Sequence, residues 1–128
     1  MPIESINAIT LVTRDMKTSV QFYEALGFRL VYGGPASRFS SLAGSGDCFV
    51  NLTREDEARD TVSGTPAGGG RFWGRVILHV TDVDALFARA REAGFETETR
   101  PRDAAWGERY FHIRDPDGHE LSFAKRLA

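Results

Sequence analysis

The sequence predicts an α+β fold built from two tandem βαβββ modules, and three observations carry that prediction. First, "LVTRDMKTSVQFYEALGF" (Leu11 to Phe28) and "LHVTDVDALFARAREAGF" (Leu78 to Phe95) align without a gap, with Asp15 on Asp82, Gly27 on Gly94 and Phe28 on Phe95, each pair 67 residues apart. Self-similarity at a fixed spacing marks one structural unit used twice. Second, each repeat opens with a β-branched run and then shifts to helical spacing of its apolar residues. Third, three further extended stretches follow each predicted helix.

Taken in order, "INAITLV" reads as the first strand. Asp15 then has the short acceptor side chain of an N-cap, and Val20, Tyr23 and Leu26 form an apolar stripe at helical spacing. Gly27 ends that helix, because glycine enters the left-handed conformation without a Cβ penalty. "FRLVYG", "SRFSSLA" and "CFVNLT" complete the first module as strands. The second repeats the plan: "GRVILHV", an Asp82 cap, a helix carrying Val83, Leu86, Phe87 and Ala90, a Gly94 stop, and the strands "FETETR", "ERYFHIR" and "ELSFAK". The expected organisation is a single domain over 1–128, with module one at 3–53, a linker at 54–74 and module two at 75–126. The linker is polar and then glycine-rich, longer than an ordinary loop. Its Phe72 and Trp73 could cover a ligand or a partner subunit.

Composition narrows the function. With 128 residues, 41% of them hydrophobic, the chain can bury one real core. Lys plus Arg number 16 against 18 for Asp plus Glu, a formal charge of −2. That balance supplies no excess of positive charge for a phosphate backbone, so nucleic acid is not an expected partner. The single Cys48 cannot make an intrachain disulfide and is expected in the core. No apolar run approaches the roughly 20 residues needed to span a bilayer. "MPIESINAI" has no basic stretch leading into an apolar segment, and the expected location is the cytoplasm.

Strand alternation divides each strand between two faces. Ile9, Leu11 and Thr13 should pack on the first helix, and Val76, Leu78 and Val80 on the second. In the last two strands Phe111, Ile113, Leu121 and Phe123 point the same way. The opposite face of module two then carries Arg75, His79, Tyr110, His112, Glu120 and Ser122, a mixed polar and aromatic surface suited to a ligand. In "RDPDGHELSF", Asp115, Pro116, Asp117 and Gly118 read as turn residues, and His119 as a group that caps or solvates the turn.

"ITLVTRDMKTSVQFYEALGF", "VILHVTDVDALFARAREAGF" and "WGERYFHIRDPDGHELSF" together resemble the vicinal oxygen chelate superfamily, the glyoxalase/bleomycin resistance protein/dioxygenase family. The resemblance implies a cupped mixed β-sheet with the helices on its outer face. It also implies positions for one divalent metal, and these fall on Ala8, Asn51, Arg75 and Ser122. Alanine has no donor atom, arginine is a fixed cation, and the other two are weak neutral oxygen ligands. No metal and no cofactor are therefore expected.

What remains is similar to the superfamily's non-metal branch, the bleomycin-resistance proteins, which sequester a drug in grooves at a dimer interface. The likeness lies in "WGERYFHIRDPDG". Trp106 offers a flat face for stacking, and Arg75 or Arg109 can donate paired hydrogen bonds to a carboxylate or carbamoyl group. The expected protein is a cytoplasmic homodimer connected with antibiotic resistance or small-molecule binding. It holds a small, partly aromatic ligand through Arg75, His79, Trp106, Arg109, Tyr110 and His112, with no catalytic residue assigned. The alternative is a metal-dependent lyase, isomerase or dioxygenase of the same superfamily with a non-standard metal site. His79, His112 and Glu120 supply a ligand set for one, although His79 lies four residues past the usual position, roughly 13 Å along a strand. His112 and Tyr110 could also transfer a proton without a metal.

Overall fold

The computed structural model describes residues 1–58 and 73–128. The chain divides into two compact units, Met1–Gly69 and Gly70–Ala128. The first contains β1 (Ala8–Thr13), α1 (Met16–Ala25), β2 (Arg29–Tyr32), β3 (Phe39–Ala43), β4 (Phe49–Arg54) and a single helical turn, α2 (Glu55–Ala58). The second contains β5 (Arg75–His79), α3 (Val83–Glu92), β6 (Arg102–Asp103), β7 (Glu108–Arg114) and β8 (Glu120–Arg126). Each unit is a four-stranded mixed sheet in equivalent order, β1-β4-β3-β2 and β5-β8-β7-β6, with its first strand parallel to its last. The duplication read in the sequence is thus a duplication of topology.

Both helices start as predicted. The Asp15 side chain accepts from the Thr18 backbone N–H and the Asp82 side chain from that of Ala85, satisfying donors that a first helical turn leaves open. Gly27 and Gly94 follow the helices with φ of 108° and 85°, a conformation that side-chain-bearing residues rarely adopt. α1 packs on β2, β3 and β4, and buries Val20 and Tyr23 in a core with Leu42, Val50 and Leu52. Tyr23 meets Phe22 and Phe28 edge-on. Beneath the helix start, Thr13 Oγ1 and Ser19 Oγ share a buried 2.7 Å hydrogen bond, so neither hydroxyl is desolvated without a partner. In the second unit α3 packs on β7 and β8, with Phe87 edge-on to Phe111 and the core completed by Ile113, Leu121 and Phe123.

Three local expectations change. The strand read over Phe95–Arg100 is reduced to an isolated bridge, Thr97 to Ile113, and the regular strand lies at Arg102–Asp103. Here the His112 N–H donates to the Thr99 side-chain oxygen instead of a backbone carbonyl, and Pro101 has no N–H to give the ladder. Cys48 is only half-buried, in the turn before β4, with its sulfur 3.8 Å from the Ser45 carbonyl oxygen. His119 is buried rather than solvated, its ring edge-on to Trp73. Of the expected linker, β4 takes in Arg54 and α2 the next four residues; residues 59–72, including Phe72, lie outside the described residues. Among the described residues no helix is long and apolar enough to cross a membrane.

Candidate functional site

The site is built on the face of the second unit's sheet that points away from α3. Along β7, Phe111 and Ile113 enter the core, which leaves Glu108, Tyr110, His112 and Arg114 on the other face. Strand register arranges the neighbours of these residues in rows: Arg75, Glu120 and Arg114; Ile77, Ser122 and His112; His79, Ala124 and Tyr110. Arg102 of β6 extends the last row beside Tyr110.

Aromatic contacts organise one end of this face. The hairpin between β6 and β7 is closed by the Gly107 N–H donating to the Ala104 carbonyl at 3.0 Å, and Trp106 leans from it onto Tyr110. The two rings stack with centroids 5.6 Å apart and planes 30° from parallel. Tyr110 in turn meets the His112 ring at 5.0 Å. Tyr110 is covered, at 9% exposure, while Trp106 stays 70% exposed. The result is a ladder of three rings whose outermost member presents apolar surface to solvent, an arrangement that favours a planar partner.

Polar contacts hold the ladder. Glu108 accepts from Trp106 Nε1 through Oε1 at 3.0 Å and lies 3.0 Å from His79 Nε2 through Oε2. Arg102 Nε donates to the Tyr110 hydroxyl at 2.9 Å, with its guanidinium carbon 5.5 Å from the ring centroid. Arg75 grips Glu120 Oε1 with both Nε, at 2.8 Å, and Nη2, at 2.5 Å. Burial pushes the pKa of His112 below the ordinary histidine range, helped by the charge of Arg75 and opposed by Glu120 and Glu98. His112 is therefore the neutral imidazole at neutral pH, and its Nδ1 is buried with no hydrogen-bond partner among the described residues.

The structure brings together His79, Trp106, Tyr110 and His112, with Arg75 two rows away on the same face. Arg109 is set apart. It projects from the other face of β7, where Asp84 of α3 takes Nε and Nη2 at 2.9 and 2.8 Å and Asp103 takes Nη1 at 3.0 Å. This engagement raises its pKa further and lowers that of Asp84. Two members of the cluster had been missed, Glu108 and Arg102. Glu108 shares the parity of Tyr110 and His112 in "ERYFHIR", so alternation could have found it. Arg102 follows Pro101 on a two-residue strand, too short for any periodic signal.

The metal positions that the resemblance implies, Ala8, Asn51, Arg75 and Ser122, carry contacts of their own. Arg75 places a paired cation at one position, and Ser122 a neutral hydroxyl beside His112 at another. In the first unit Ala8 offers no donor, and the Asn51 amide nitrogen faces Thr10 Oγ1 at 3.4 Å. These groups do not fit a divalent ion. Nor are His79, His112 and Glu120 gathered: the first is held by Glu108 and the last by Arg75. Among the described residues no three His, Cys, Asp or Glu side chains are placed to hold a metal.

Residues 5–123 match the family model described as Glyoxalase/Bleomycin resistance protein/Dioxygenase superfamily. An uncharacterized protein of Mycobacterium bovis is 32% identical over 120 residues, covering 90% of this chain and 79% of that protein. Among solved structures, TioX from Micromonospora sp. ML1 is similar with a TM-score of 0.74 and 29% identity, over 97% of this chain and 100% of that one. A glyoxalase/bleomycin resistance protein/dioxygenase from Nocardioides is similar with a TM-score of 0.73 and 27% identity, over 99% of this chain and 86% of that one.

Proposed function

This chain belongs to the glyoxalase/bleomycin resistance protein/dioxygenase superfamily, and from that premise we propose that it binds and sequesters a small, partly aromatic, antibiotic-like molecule without a metal. The observation that carries the reading is the ladder of Trp106, Tyr110 and His112, whose outer ring is open to solvent while the inner two are fixed by protein contacts. A binding surface pre-organised in this way loses little side-chain freedom when a planar ligand arrives. The donor set at the family's metal positions supports the same reading, since it contains a cation already paired to a carboxylate. In this reading the protein is a cytoplasmic homodimer, His79 and Glu108 fix the edge of the binding surface, and no side chain acts as a catalyst.

Calorimetric titration of chelator-stripped protein with Mn, Ni, Zn and Fe(II) tests it directly. The expected result is no stoichiometric binding, together with quenching of Trp106 fluorescence by planar aromatic compounds, read in a Trp73→Phe background. Tight binding of one metal per chain, with turnover of an α-hydroxythioester, epoxide or catechol, would replace this reading with that of an enzyme of the same superfamily.

A further inference from the structure

We propose that the ligand of this face is an anion: a planar aromatic carboxylate whose ring lies on Trp106 and whose carboxylate pairs with Arg102. The proposal rests on the sequestration reading and adds the charge and chemical class of the ligand. It follows from how the charged groups of the face are paired. Arg75 is paired with Glu120, Arg114 with Glu98 at 3.1 Å, and the Glu108 carboxylate is taken up by His79 and Trp106. Asp103, next to Arg102 in sequence, is committed to Arg109 on the opposite face. Among the described residues Arg102 meets only Tyr110, donating to its neutral hydroxyl through Nε and lying over its ring, and no carboxylate is within ion-pairing distance of it.

Its terminal nitrogens are therefore free to donate, and the side chain is exposed beside the ring that Trp106 stacks on. Arg126, across from Glu108 at the end of β8, is a second exposed cation on this face without a carboxylate partner among the described residues. The chain as a whole carries a formal charge of −2, so the positive balance here is local. A guanidinium and an open indole that both contact Tyr110 match a ligand with a carboxylate at the edge of a flat ring. Two parallel N–H···O bonds to the carboxylate would fix the ring's orientation over Trp106. A cationic ligand would instead meet Arg102 with like charge.

The test uses the full chain and three probes that share one ring system: 2-naphthoate, its neutral carboxamide and a naphthyl trimethylammonium cation, titrated by calorimetry up to millimolar concentration. The expected order places the acid at least tenfold tighter than the amide and the cation weakest. Arg102→Gln should weaken the acid at least tenfold and the amide by a smaller factor, so that the acid's advantage over the amide is lost. Arg102→Lys should restore part of it, and Tyr110→Phe, which removes the hydroxyl but leaves the guanidinium, should keep most of it. If acid and amide bind equally, or the cation binds best, the anion proposal is overturned while sequestration of aromatic molecules stands. If no probe binds, both fail.

Discussion

His79 Nε2 lies 3.0 Å from Glu108 Oε2 although a whole strand, β8, separates the strands that carry them. The residue on β8 between them is Ala124, whose small side chain leaves room for the two longer ones to meet across it. The same carboxylate then fixes the Trp106 indole. One acidic side chain on β7 thus ties the edge strand β5 to the hairpin that carries the exposed ring.

Glu108→Ala should therefore free Trp106 without unfolding the unit. The pair with His79 keeps contact with water, its side chains 54% and 22% exposed, and pairs open to solvent contribute about 0 to 1 kcal/mol. The melting temperature should fall by no more than about 5 °C. Affinity for a planar aromatic probe should fall roughly three- to tenfold, because the indole must now be ordered on binding. A full loss of the folded transition in calorimetry would contradict this account of Glu108.

His112 gives the protein a pH dependence of a definite sign. Its folded pKa lies below the usual 6.5, chiefly through burial, so on acidification the unfolded chain takes up this proton first. Stability is retained above that value and declines as pH falls through the window just below it. Melting temperatures between pH 8 and pH 5 should show a decline in the wild type that His112→Gln makes shallower. An unchanged slope would contradict this assignment to His112.

The Arg75 and Glu120 pair sits in a partly dry environment, with the Glu120 side chain only 11% exposed. Removing the cation alone strands a buried carboxylate, and Arg75→Met should cost about 2 to 3 kcal/mol, less than for a fully buried pair because Arg75 keeps some contact with water. The double variant Arg75→Met with Glu120→Leu should recover most of that loss in urea denaturation. If the double variant is as unstable as the single one, the packing of Arg75's stem matters more than its charge.

Gly33 and Gly94 separate two costs of adding a Cβ. Both have positive φ, 76° and 85°. At Gly94 the new atom meets nothing, so Gly94→Ala should cost about 1 kcal/mol. At Gly33 it would run into the Phe39 carbonyl oxygen and the Ser40 hydroxyl, which itself accepts from the Gly34 N–H. Gly33→Ala should therefore cost about 3 kcal/mol or more, adding overpacking to the backbone term. Denaturant midpoints of the two variants give the comparison.

The sequence by itself determined what local rules can carry. The repeat, the Asp15 and Asp82 caps, the Gly27 and Gly94 stops, and the division of β7 and β8 between two alternating faces were all legible. Each depends on residues within a turn or on an alternation of period two. The tertiary structure alone decided which side chains meet across strands. Arg109 was read as a ligand-binding residue but turns to Asp84, because strand parity places it on the helix side. Arg102 and Glu108 join the site because register puts one beside Tyr110 and lets the other reach His79 across Ala124. Pairings of this kind connect residues 8 and 29 positions apart, and they are set by hydrogen-bond register between strands, a property of the assembled sheet rather than of any one segment.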